Sequence, residues 1–270
     1  MALYSTIETG TAYKYLQQLV KILDEPICIL GGWAVYLTVN NNFKKEEGRN
    51  YLGSKDIDLG FHIDPLLDKS ELKHTVLAKS LEKIEKDGFN LQSFRYYKEI
   101  HYETGKELTQ EEIKVTPSHN IFTMYIDPIV DTVHPAFKEI FGFTPADESL
   151  LLPVFKDSVY RNELREFNKK LWLPTSEILL ATKMKSLPTR PEGDKFIKDI
   201  CDIYALSWYS GINYKTLKEK SRQHIDNEII NKIQTRMSKE KDIFQKTQNA
   251  MDIDAETIQT LLIDLLDLKL

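Results

Sequence analysis

The chain has 270 residues, of which 41% are hydrophobic and 29% charged, and its formal net charge is −5. That is apolar material enough for a sizeable core, in one large domain or two modest ones. The acidic balance excludes a global basic footprint for nucleic acid, and with no apolar run of about 18 residues no transmembrane helix is expected.

The first residues lack the charged-then-apolar pattern of a secretory signal, so a cytoplasmic protein without membrane partners is expected. Cys28 and Cys201 each sit in an apolar stretch and read as buried free thiols, and no Cys/His cluster has zinc spacing. In chain order, apolar spacing predicts a helix over 11–23, which Glu25-Pro26 breaks, and a short buried strand over 27–30. Gly31-Gly32 reads as a turn and 33–39 as the start of a helix. The polar stretch 40–50 reads as a loop. Alternation of Ile57, Leu59, Phe61 and Ile63 with Asp56, Asp58, Gly60 and His62 predicts a strand. A strongly amphipathic helix follows over 69–86, closed by Gly88. Residues 94–102 read as a strand, 104–117 as a loop or hairpin, and 121–133 as an apolar strand in which Pro128 suggests an edge or a bulge. From about residue 145 strand-like runs become scarce. Helical patterns cover 177–187, 194–209, 214–222, 226–237 and 255–268. The expected fold class is therefore α/β (α+β), a short mixed sheet flanked by helices over residues 1–150. A helical C-terminal domain, 151–270, is expected to follow and to close a ligand cleft.

Asp56 and Asp58 share one strand face, several ångströms apart. Two like charges so placed repel unless a cation lies between them, and oxygen-only donors suit Mg²⁺ or Mn²⁺. The plain alternative is the solvent face of a half-exposed strand. A glycine turn between a strand and a helix lets a ligand approach the backbone, and helix N–H groups offer themselves to an anion. A further acid on a neighbouring strand would complete a two-ion site. Asp127 and Asp131 have the same parity on the 121–133 strand. Asp127 lies deeper in the run and is favoured, with Asp131 left open.

Gly-Gly, a helix, Ser-x-Asp-x-Asp on a strand and a later strand acid resemble the DNA polymerase β-type nucleotidyltransferase superfamily. Within it the likeness is to the AbiEii/AbiGii-type toxin nucleotidyltransferases. A second block resembles the same group: Lys183 on one helix, Arg190 at its end, and Lys198-Asp199-Ile200-Cys201-Asp202-Ile203 on the next. The resemblance implies metal-dependent transfer of a nucleoside monophosphate from an NTP to a hydroxyl or phosphate. The acceptor would be tRNA or another RNA, a protein or a small molecule, and the chain would be a toxin with a cognate antitoxin. By position, Asp56, Asp58 and Asp127 would bind Mg²⁺ (or Mn²⁺). Gly31, Gly32 and Ser54 would contact phosphates, Lys183 would meet the triphosphate, and Asp199 and Asp202 would hold Lys183 or Arg190. The chain departs from that pattern at Leu52, where an arginine is common, and at Pro128. A degenerate nucleotide-binding or toxin–antitoxin interaction protein on the same fold is the alternative. A third reading is nucleic-acid binding by the basic cluster Lys215, Lys218, Lys220 and Arg222, set against a plain solvated helix face.

Overall fold

The computed structural model describes residues 3–240 and 242–269. The first elements in chain order are α1 (Thr6–Ile22), β1 (Ile27–Ile29), α2 (Gly31–Glu47), β2 (Ile57–Phe61), α3 (Lys69–Leu72), α4 (Val76–Lys86), β3 (Asn90–Gln92) and β4 (Arg95–His101). They continue with α5 (Gln110–Val115), β5 (Ile121–Val130), α6 (Phe137–Phe141), β6 (Ala146–Asp147), α7 (Leu151–Lys156), β7 (Arg161–Glu166) and β8 (Lys169–Pro174). The rest is helical: α8 (Ser176–Ser186), α9 (Asp194–Tyr209), α10 (Tyr214–Arg222), α11 (Asn227–Met237), α12 (Ile243–Met251) and α13 (Ala255–Leu266). The fold class is mixed α/β, with an open mixed sheet flanked by helices and a helical C-terminal part. None of the described helices is long and apolar enough to cross a membrane.

Tertiary contacts divide the chain into two units, neither of them one continuous segment. Tyr4–Trp33 and Gly53–Pro174 form one; Ala34–Leu52 and the residues from Thr175 onward form the other. The first unit holds the sheet, in the order β3-β4-β5-β2-β1-β8-β7, with β6 also pairing β5. β5 runs parallel to β2 and antiparallel to β4, and β1 is antiparallel to β2 but parallel to β8. Strict alternation along β4 and β5 gives each a buried face. Tyr96 and Ile100 line it on β4, and Phe122, Met124, Ile126 and Val130 on β5. Phe143 meets the Tyr96 ring edge-on there. The opposite, half-exposed face carries Arg95, Tyr97, Tyr125 and Asp127.

Several expectations are corrected. The polar stretch 40–50 is not a loop: α2 runs unbroken to Glu47, because Val39 and Phe43, four residues apart, are fully buried on one helical stripe. The 69–86 helix is two helices, since the Thr75 hydroxyl accepts the Ala78 N–H at 3.2 Å and starts α4 afresh. The 104–117 segment contains α5. Residues 151–174, expected with the C-terminal helices, include the β7–β8 hairpin, which extends the sheet beyond β1. β5 is an internal strand, and Pro128 marks no bulge but a place where one flank of β5 is locally open. Asp131 donates its N–H to Phe61 of β2 at 3.1 Å, so by alternation the position where Pro128 lacks an N–H points away from β2. On that side β4 begins only opposite Asp127 and β6 pairs only from Ile129, so no ladder bond is lost.

In the second unit Phe43 meets the rings of Tyr51 and Tyr209 edge-on at centroid distances of 5.2 and 4.8 Å. Asn42 donates to the Tyr209 carbonyl at 2.8 Å. Cys28 and Cys201 are buried free thiols, and burial pushes Cys28 up to about 12.

Candidate functional site

In the sheet-bearing unit, Asp58 of β2 is in register with Asp127 of the neighbouring parallel β5. In-register residues on adjacent strands share a face, so both carboxylates belong to the half-exposed side. Arg95, the first residue of β4, stands across the ladder from Asp127 and joins the same row. Its Nε donates to Asp127 Oδ1 at 2.6 Å and its Nη2 to Asp127 Oδ2 at 2.9 Å. Nη2 also donates to Asp56 Oδ2 at 3.0 Å. Tyr125, two residues from Asp127 on β5, places its ring 3.9 Å from the guanidinium carbon. Burial opposes the charge on Arg95, but Asp127 and then Asp56 overcome it and hold the guanidinium above its ordinary pKa.

Gly31 completes this cluster. It starts α2 with φ +57, and a Cβ there would lie 1.7 Å from Asp58 Oδ2. The carboxylate thus packs directly against the glycine backbone, and only glycine fits. Gly32 beside it is buried, and Ser54 lies half-buried in the irregular segment before β2. Gly31→Ala is expected to cost about 1–2 kcal/mol from left-handed backbone alone, read as a lower urea midpoint. Moving the Asp58 side chain adds to that loss.

Asp131 has a different place. Its Oδ1 accepts the Ile63 N–H at 3.0 Å and its Oδ2 is hydrogen-bonded to His62 Nδ1. The acid paired with Asp58 is therefore Asp127, while Asp131 pins the end of β2. Among the described residues no group of three or more His, Cys, Asp or Glu side chains is disposed to hold a metal ion. The acids Asp56, Asp58 and Asp127 come to one region, with the Arg95 guanidinium bound to two of them.

The second block folds within the helical unit. Lys183 of α8 reaches Asp199 Oδ1 at 2.7 Å and Asp202 Oδ2 at 2.8 Å, both on α9. Arg190 Nε donates to Asp199 Oδ2 at 2.5 Å. Lys198 pairs with Asp202 Oδ1, which also accepts the Tyr51 hydroxyl at 2.8 Å. Burial opposes charge on Lys183, yet Asp199 and Asp202 raise its pKa. Burial would raise Asp199, and Lys183 and Arg190 more than offset it, holding the carboxyl below its usual range. This is a buried clamp rather than a set of surface pairs. Of its five ionic groups, three are cations and two are carboxylates.

Two of the four cations of the α10 cluster have carboxylate partners. Lys218 and Arg222 pair with Asp267 at 2.6 and 2.8 Å, which favours a solvated helix face over a nucleic-acid stripe.

Arg95 and Tyr51 escaped the sequence reading. Period two in 94–102 places Arg95 on a strand face, but only the β4–β5 register shows that this face is that of Asp127. Tyr51 lies just past the 40–50 stretch, in a segment to which periodicity assigns no element.

The sequence matches no protein-family model and no curated protein. Among solved structures the chain is similar to the crystal structure of an antigenic nucleotidyltransferase-like protein from Paracoccidioides brasiliensis. The two share 16% identity over 84% of this chain and 91% of that one, with a TM-score of 0.41.

Proposed function

We propose that the chain is a metal-dependent nucleotidyltransferase that moves a nucleoside monophosphate from an NTP to a hydroxyl or phosphate. One observation carries this reading: Asp58 and Asp127 stand in register on adjacent strands, with Asp58 packed under a glycine that opens a helix. The candidate donors, Asp56, Asp58 and Asp127, are carboxylate oxygen only, the ligand type that suits a hard divalent cation. Mg²⁺ or Mn²⁺ held there supplies charge neutralisation for phosphoryl transfer. Asp127 orients the acceptor oxygen. Gly31 and Gly32 admit a phosphate against the backbone, and Ser54 adds a hydroxyl donor. In its own unit Lys183 is proposed as a phosphate-binding cation, held extended by Asp199 and Asp202, with Arg190 as a second positive group. An RNA acceptor, and a role as the toxin of a toxin–antitoxin pair, extend the same reading.

The alternative is a degenerate nucleotide-binding or interaction protein, favoured by the Arg95 pairs to Asp127 and Asp56. The deciding experiment offers each α-³²P-labelled NTP with Mg²⁺ or Mn²⁺ to the protein, together with total RNA and, separately, lysate protein. Label transferred to a macromolecule with pyrophosphate released supports the transferase. Metal-dependent nucleotide binding without pyrophosphate release supports the alternative.

A further inference from the structure

We propose that Arg95 is an internal competitor for the divalent ion, a guanidinium seated on the carboxylates a metal must use; this rests on the transferase reading above. Three features of the first unit point to it. The fork of Arg95 takes both oxygens of Asp127, and Nη2 takes one of Asp56, at 2.6–3.0 Å. A divalent ion needs these same oxygens, and a charged fork bound to them lowers its apparent affinity, both by occupying acceptors and by repulsion. The guanidinium is aimed rather than wandering. It is stacked on Tyr125, and its Cα stands opposite Asp127 across the ladder. It also has a way out, because β4 starts at Arg95, directly after the short β3–β4 turn, and the side chain keeps 22% of its surface exposed. Arginine stays protonated at any working pH, so the competition is set by metal concentration and not by proton release. Ion binding exchanges one set of charge-assisted bonds for another: the carboxylates pass from guanidinium to metal, and Arg95 turns to solvent or to a ligand anion. Arg95 is thus a residue that tunes metal occupancy without being a metal ligand.

The test is Mn²⁺ binding to the purified full chain without nucleotide, read by the electron paramagnetic resonance signal of free Mn²⁺, so that no turnover is needed. Arg95→Met and Arg95→Gln are expected to bind Mn²⁺ roughly tenfold or more tighter than the parent, the effect of removing a like charge beside the ion. Arg95→Lys, which keeps the charge, is expected to stay close to the parent. Adding Asp58→Asn to Arg95→Met is expected to abolish the gain. Thermal melts of every variant establish folding, and two neutral substitutions guard against one of them failing to fold. Binding equal to or weaker than the parent in both neutral variants, with Asp58→Asn still abolishing it, would overturn the competition and leave the transferase reading intact. Equal tightening in the Lys variant would also overturn it. No Mn²⁺ binding in any variant would overturn both.

Discussion

Asp202→Ala is expected to lower the unfolding free energy by about 3–5 kcal/mol, the usual cost of stranding buried charge. Asp202 is fully buried, forms an ion pair with Lys183, and accepts from Lys198 and the Tyr51 hydroxyl. Without it Lys198 loses its carboxylate, Lys183 keeps only Asp199, and two ammonium groups remain in a low-dielectric interior. Urea denaturation measures the loss. The double variant Lys183→Met/Asp202→Leu is expected to lose less than the sum of the singles, since Lys183 leaves together with its partner and only Lys198 stays stranded. The same clamp sets a pH profile. Asp199 has a lowered folded pKa, so its contribution is complete above the unfolded value of about 3.9 and is lost as pH falls through the lower folded value. Lys183 has a raised folded pKa, so its contribution is complete below an unfolded value of about 10.4 and is lost as pH rises through the higher folded value. Denaturation midpoints followed against pH are therefore expected to hold near neutrality and to fall below about pH 4.

Asp58→Ala is expected to reduce NTP turnover on the order of 10³-fold or more, as when a charge-positioning group leaves a phosphoryl-transfer centre. Asp58 is half-buried on the open face and packs against Gly31, so truncating it relieves crowding instead of creating strain. Melting temperature is expected to stay near that of the parent. Asp131→Asn is the matched control. Asp131 is buried and serves His62 and Ile63, so its loss is expected to lower stability while turnover per folded molecule is retained. Unchanged turnover in Asp58→Ala would remove the acidic row from the mechanism.

The sequence was legible where one-dimensional periodicity coincides with burial. β2 and β5 alternate in sequence, so Asp58 and Asp127 each read as belonging to the polar face of its own strand, and the register of the two strands then sets them side by side. α2 beyond Val39 was hidden because Asn40, Asn41, Asn42, Lys44 and Lys45 dilute a stripe that only Val39 and Phe43 carry. Phe43 and Tyr51 show their purpose only beside Tyr209, which is remote in sequence. β7 was hidden because Leu164 is the single apolar residue in Arg161–Glu166. An edge strand needs one partner, β8, and has no buried face to announce it. The burial of Lys183 was foreshadowed by its apolar neighbours Ala181 and Met184. The pairing of Arg95 with Asp127 depends on strand register, which composition does not encode.

The membership of residues 34–52 in the helical unit has a consequence for biosynthesis. Asn42 finds its carbonyl partner 167 positions later, in Tyr209. At translation rates of about 5–20 residues per second, the greasy stripe of Val39 and Phe43 emerges from the ribosome roughly 8–30 s before that partner exists. The nascent chain must therefore hold an orphan amphipathic segment in waiting. Proteolysis after Pro174 would leave the same segment stranded, so the two halves are obliged to mature as one translation product.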